Sequence, residues 1–339
     1  MKNKKNILLT FDHELFLGTK SGSVDYCMIK PTNELQKIFN EFKIQKAIFF
    51  LDTTYLSCLK THSKIRSFQK DFEKIKSNIH FLLDNGHYIF PHIHPHWLDA
   101  KYINGNWVLK NLKKYTFNAC SIKERKKIWE ESISILKEFN VESYHPIDSF
   151  RAGGWSIQPF KDYKPFFEKY GILNDFTVLP ESYTHSNAQN FDFTSISSNS
   201  IYRFEYEVTK PVKNGKFFEF PISTRSKKYE NDIKEKIIKK YLWKTNNKSI
   251  GDGIGVIGEP LKFDPIKPPK NREMISIELM NIVNLRDYKK HLDSQKLIHF
   301  LSHPKMLSPH NLKMFRNYIK YARQNYNLDF DFKSCKISI

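Results

Sequence analysis

His92-Ile93-His94-Pro95-His96 places three imidazoles within five residues. Neutral imidazole is the commonest protein ligand for zinc and related ions. Just upstream, Leu83-Asp84-Asn85-Gly86 reads as a helix end with a glycine stop, and Tyr88-Ile89-Phe90 as a short apolar strand. The imidazoles therefore lie where a strand runs out into a loop, the place where α/β folds build their sites. A single histidine there would be unremarkable surface chemistry; three so close, beside a stiffening proline, point to metal binding. His92 and His96, four residues apart, are the expected metal pair. His94 between them is expected to support that pair or to contact substrate.

Three further groups could join them. Thr10-Phe11-Asp12-His13-Glu14 ends the first apolar run. Residues two apart on a strand point the same way, so Asp12 and Glu14 can face one site, one as general base and one as metal ligand. Phe150-Arg151-Ala152-Gly153-Gly154-Trp155 joins a cation to a glycine pair and an aromatic ring. Arg151 can pin a carboxylate through its fork of donors, and Trp155 offers a flat face to a sugar ring. In His299-Phe300-Leu301-Ser302-His303-Pro304-Lys305, His303 stands where the last apolar strand ends.

The elements that must hold these residues alternate. Apolar strands are expected at Ile7–Phe11, Ala47–Leu51, just before His92, and at Leu297–Leu301. Helices are expected between them: one opened by Pro31, one with its apolar face from Ile65 to Leu82, one behind the capping box Ser121-Ile122-Lys123-Glu124, one from about Pro159 to Tyr170, and one behind Ser308-Pro309. Such alternation implies an α/β fold around a mostly parallel sheet. Tyr202–Val208 and Lys216–Pro221 flank Asn214-Gly215 and read as an antiparallel hairpin, an embellishment on that fold. Gly253-Ile254-Gly255-Val256-Ile257-Gly258 fits the spacing of a dinucleotide loop, but Glu259-Pro260 follows it, so no helix can open there and a turn or cleft-side loop is expected.

The 339 residues, 40% hydrophobic and 15% aromatic, suffice for a large single core. No apolar run approaches the roughly 18–20 residues needed to span a bilayer. The basic start followed by only Ile7-Leu8-Leu9 is too short for a signal-peptide core, so a cytoplasmic protein is expected. Four scattered cysteines, none in a CxxC pair, argue against disulfides and cysteine–metal sites. The formal charge of +19 would suit an anionic partner, but with lysines scattered over the expected helix faces most of it reads as compositional drift. No nucleic-acid recognition motif accompanies it, and nucleic acid is not expected as a partner. Within the densest stretch, Lys227–Lys248, the run Lys234–Lys244 reads as a basic amphipathic helix, a solvated face able to touch a membrane surface.

In their order, Thr10-Phe11-Asp12, His92 to His96, Arg151 with Trp155, and Leu301 with His303, these groups resemble the NodB-type polysaccharide deacetylases, a family of metal-dependent carbohydrate esterases. The resemblance runs over roughly residues 7 to 305. His-Ile-His-Pro-His-Trp, ending at Trp97, and Phe-Arg-Ala-Gly-Gly-Trp are most similar to the family's cytoplasmic branch associated with surface-glycan biosynthesis. The resemblance implies a distorted (β/α) barrel of about seven parallel strands, one domain over 1–339 with the hairpin and basic helix inserted at about 201–250. It implies one divalent ion, zinc before others, held by Glu14, His92 and His96, with Asp12 as base, Arg151 orienting it, and His303 as acid. His94, Trp97 and Trp155 would contact substrate. The family's second aspartate is His13 here, so Glu14 is the preferred third ligand and His13 the other candidate. The nearest match to its fourth motif is Asp175. The implied reaction is removal of an N-acetyl group from an amino sugar on a nucleotide, lipid or oligosaccharide carrier. The alternatives are a non-catalytic glycan-binding relative, or loss of an O-acetyl or N-formyl group.

Overall fold

The computed structural model describes residues 2–18, 20–103, 105–109, 114–186, 189–197, 199–226, 229–244, 248–255 and 272–336. Nine strands form one sheet: β1 (Lys4–His13), β2 (Ile48–Asp52), β3 (Tyr88–Ile93), β4 (Ser149–Ala152), β5 (Asn174–Asp175), β6 (Tyr202–Phe204), β7 (Phe217–Glu219), β8 (Leu297–Ser302) and β9 (Asn327–Asp329). Their order is β6-β7-β5-β4-β3-β2-β1-β8, with β9 beside the start of β1. Among the described residues of this sheet, only β6 and β7 pair antiparallel. The sheet curls until its two sides meet. Ser223 N–H donates to the His299 carbonyl (3.0 Å), Ile275 N–H to that of Ser223 (2.8 Å), and Leu301 N–H to that of Ile275 (3.1 Å). The result is an α/β fold with a curled, parallel-rich sheet.

Alternation along the strands sorts side chains between two cores. Ile7, Leu9 and Phe11 face outward, into a core built with α1 (Lys30–Glu41), α2 (Thr53–Thr61), α3 (Arg66–Asp84), α4 (Ile122–Glu138), α5 (Lys164–Tyr170), α7 (Leu285–Ser294) and α8 (Pro309–Asn325). α6 (Tyr229–Lys244) carries the basic stretch. Leu8, Ile48, Phe50, Tyr88, Phe90, Phe176 and Phe220 face inward and, with Phe332, plug the bottom of the curl. The capping box at Ser121 and Glu124 is formed, and Gly171 ends α5 with φ +72°, a left-handed turn that glycine adopts without strain.

Three expectations change. The hairpin is no embellishment, because β7 pairs in parallel with β5 and so belongs to the main sheet. The helix expected from Pro159 begins only at Lys164; a 3₁₀ turn, Phe160–Asp162, precedes it. α2 was not anticipated from the sequence, since it starts with no break from β2. Gly253 packs on Phe16, and Ile254 bridges to Lys20, so the glycine stretch crosses the loop after β1; Val256 onward lies outside the described residues. Among the described residues no helix is long and apolar enough to cross a membrane.

Asp175 and Glu219 are direct partners on neighbouring strands and are wholly buried. Asp175 accepts from Thr177 Oγ1 (2.7 Å) and Glu219 from Val178 N–H (2.9 Å), while Asp175 Oδ2 and Glu219 Oε2 find no protein donor apart from each other. Burial, then the charge of Asp175, pushes Glu219 well above the usual carboxylate range. Burial raises Asp175 to about 6. Both shifts mean that the folded pair holds a proton more tightly than the unfolded chain does. A raised carboxyl pKa means that the folded chain binds a proton the unfolded chain has released, so stability falls as pH rises from about 4 through the folded values. Glu219→Gln can keep both hydrogen bonds without that proton. It should flatten the fall and gain about 1 kcal/mol at pH 8 over wild type, measured by urea denaturation at pH 5 and 8.

Candidate metal centre

Above the aromatic plug the inward positions turn polar. On β1 the series runs Leu8, Thr10, Asp12, then Glu14; on β3 it runs Tyr88, Phe90, His92, then His94. β4 contributes Arg151, and the chain after β8 contributes His303 and Lys305. His94 Nε2 lies 2.7 Å from Glu14 Oε2. His92 Nε2 lies 3.6 Å from Asp12 Oδ2 and 3.7 Å from Glu14 Oε2. His303 Nε2 lies 3.7 Å from Asp12 Oδ2 and 3.6 Å from Glu14 Oε1. Among the described residues, two sets of ligand atoms lie within 4.8 Å of one another: Glu14, His92 and His94, and Asp12, Glu14 and His303.

The histidines that gather are 92 and 94, in place of the expected 92 and 96. His94 is still extended, so it points as His92 does. Pro95 then opens a 3₁₀ turn, Pro95–Asp99. That turn carries the buried His96 against the Tyr115 ring, with centroids 6.0 Å apart and planes at 14°. His13 faces outward toward Phe49, away from the site.

The surrounding bonds orient these groups. The His92 Nδ1–H donates to the Arg151 carbonyl (2.9 Å), which leaves the Nε2 lone pair facing the carboxylates. Nε2 is buried and has no hydrogen-bond partner. Such an orphaned nitrogen beside two carboxylates and a second imidazole fits a divalent ion. A His₂-carboxylate set suits zinc with an open position. The His94 N–H donates to Thr54 Oγ1 (2.7 Å), which donates to Asp52 (2.7 Å). Gly153 is needed where it stands: a Cβ there would meet the Ile93 carbonyl at 2.4 Å and the His94 ring at 2.7 Å.

Two ion-paired dyads flank this cluster. Arg151 Nη1 donates to Asp12 Oδ1 (2.6 Å), Nη2 to Thr10 Oγ1 (2.6 Å), and Nε to the Phe176 carbonyl (2.9 Å), with the guanidinium 4.3 Å above Phe50. On the other side, Glu278 Oε1 is 3.0 Å from His303 Nδ1. Burial pushes Asp12 upward, but Arg151, His92 and His303 outweigh it and hold the carboxyl below its usual range. Burial opposes a charged His303, but Glu278 and then Asp12 outweigh that, pushing it up to about 9. Burial lowers His92 to about 4, so that ring is neutral. At neutral pH the site thus holds an ionised Asp12 opposite a protonated His303.

Glu278 supports His303; Asp175, the nearest match to the fourth motif, lies on β5 opposite Glu219. The sequence offered one hint of Glu278, an acid closing the alternating run Ile275-Ser276-Ile277. His299 was also missed as a support. Its Nε2 lies 3.1 Å from Arg151 Nη2, and its Nδ1 faces the Phe220 and Pro221 carbonyls. Trp97, expected at the substrate, is buried, and its Nε1 donates to Asp52 Oδ2 (2.7 Å). Trp155 is half-buried, left-handed at φ +56°, with its ring 6.4 Å from that of Phe191.

No family profile and no curated relative matches this chain. Among solved structures, a protein from Mycobacterium smegmatis assigned as a polysaccharide deacetylase is similar at TM-score 0.50 and 16% identity, over 99% of this chain and 89% of the other. A 4-alpha-glucanotransferase from Thermococcus litoralis is similar at TM-score 0.51 and 11% identity, over 99% of this chain and 41% of the other. The likeness is one of fold. Two chemistries superpose equally well, so activity has to be argued from the residues of the site.

The geometry separates His94 from His96. His94→Ala should lose bound metal by at least about tenfold in affinity, whereas His96→Ala should keep near-stoichiometric metal by elemental analysis. The reverse pattern would return His96 to the ligand set.

Proposed function

We propose that the whole chain acts as one domain, a metal-dependent hydrolase that removes an N-acetyl group from an amino sugar. The observation that carries this reading is the pair of dyads, Arg151–Asp12 and Glu278–His303, on either side of Glu14, His92 and His94. Amide hydrolysis needs a base for the attacking water and an acid for the departing amine, held apart in opposite protonation states. Asp12 keeps Oδ1 on Arg151 and turns Oδ2 to the site, where it would take the proton from water. Protonated His303, anchored at Nδ1 by Glu278, would deliver a proton to the amine from Nε2. Zinc is the ion that the donor set favours, held by Glu14, His92 and His94; when bound, it would polarise the acyl carbonyl and acidify water.

The order of the four motifs supports an acetylated amino sugar on a nucleotide, lipid or oligosaccharide carrier, used in the cytoplasm for surface-polysaccharide synthesis. Acetate release from such substrates is the assay. Asp12→Asn should lower turnover by at least about a hundredfold with metal content nearly intact. Retained turnover would remove Asp12 as base, and no acetate from wild type carrying its metal would remove the reading.

A peripheral membrane contact belongs to the same proposal. Ile233, Ile237 and Tyr241 recur every fourth residue on α6 and are exposed, with Lys234, Lys236 and Lys240 flanking the stripe. Co-sedimentation with vesicles containing phosphatidylglycerol should occur at low salt and fail for Ile237→Asp. Equal binding to neutral vesicles would count against a charge-assisted contact.

A further inference from the structure

Lys305 is a cation inside the proposed metal site, and the reaction described above does not use it. Its side chain is 8% exposed. Nζ donates to Glu14 Oε1 (2.9 Å) and to the Leu15 carbonyl (2.6 Å), and lies 5.2 Å from the centre of the Phe16 ring. The backbone is clamped as well. Gly251 N–H donates to the Lys305 carbonyl (3.0 Å), and a Cβ at Gly251 would meet that oxygen at 2.5 Å. Both oxygens of Glu14 are therefore engaged without any ion: Oε2 by His94 and Oε1 by Lys305.

We propose that Lys305 is a standing competitor of the metal for Glu14. Its ammonium holds the carboxylate in place when the site is empty and repels a divalent ion when the site is filled. The inference rests on the reading of Glu14, His92 and His94 as a metal site. Its physical basis is Coulombic. A buried ammonium is tolerated because Glu14 balances it. When a dication takes Glu14, the ammonium loses that balance and faces like charge in a medium that screens poorly. The site then binds its ion more weakly than its three ligands alone would, and the ion exchanges more readily. Removing the charge has opposite effects on the two states: the empty site is left with an uncompensated Glu14, and the filled site loses a repulsion.

The test is the zinc dissociation constant, measured by competition with a chromophoric chelator, together with the melting temperature of the metal-free protein. The proteins are wild type, Lys305→Met, Lys305→Gln and Lys305→Arg. Both neutral variants should bind zinc at least about tenfold tighter, while the arginine variant, which keeps the charge, stays near wild type. Metal-free Lys305→Met should melt below wild type, and zinc should narrow that gap. Should the methionine variant fail to fold, the glutamine variant, which can still hydrogen-bond Glu14, reads the same affinity. Unchanged or weaker zinc binding in the folded neutral variants would overturn the proposal, because a purely structural lysine can only lose affinity when replaced. Wild type that binds no divalent ion would instead overturn the metal reading beneath it.

Discussion

The buried guanidinium of Arg151 is the constraint on which the site depends. A desolvated cation is stable only if its donors are met. Here they are met by four groups from three parts of the chain: Asp12 and Thr10 on β1, the Phe176 carbonyl after β5, and His299 on β8. Its own carbonyl fixes the tautomer of His92. Moving Arg151 would release the proposed base, the orientation of one proposed ligand, and the join between the two sides of the curled sheet. The aromatic plug below it, with Phe50 at 4.3 Å, excludes water and strengthens each of these contacts.

Charge is balanced locally throughout this interior. Asp12 faces Arg151, Glu14 faces Lys305 and His94, and His303 faces Glu278. Deeper in the sheet, burial pushes both Asp175 and Glu219 toward their neutral forms. The large positive charge of the chain therefore belongs to its surface, while the site is a near-neutral arrangement of opposed pairs. That arrangement lets a carboxylate stay ionised opposite a protonated imidazole.

The inward series on β1 and β3 shows how the fold makes a site from simple alternation. Apolar residues fill the lower levels and polar ones the upper, with period two on each strand. The same rule that puts Phe50 and Phe90 in the plug puts Asp12, Glu14, His92 and His94 at the mouth. Gly153 completes it, because only a residue without a side chain lets the β4 loop approach the His94 ring so closely.

Strand period alone determined much of this from sequence. Apolar runs ending in Asp12, His92 and His303, with helices between them, were enough to infer the α/β fold and the strand ends where chemistry gathers. The two-residue spacing put Glu14 on the face of Asp12 but kept His13 as a second candidate, until the fold turned His13 toward Phe49. Spacing could not choose between His94 and His96, because that choice depends on where the extended chain gives way to the turn at Pro95. It could not assign Glu278 to His303 or Lys305 to Glu14, since contacts made through folding across 25 and 291 residues are not written in local spacing. Nor could it show that β7 joins the main sheet, because a hairpin signal describes the turn and not the neighbour that the outer edge will meet. Local periodicity decides which way a side chain points; only the closed curl of the sheet decides what it points at.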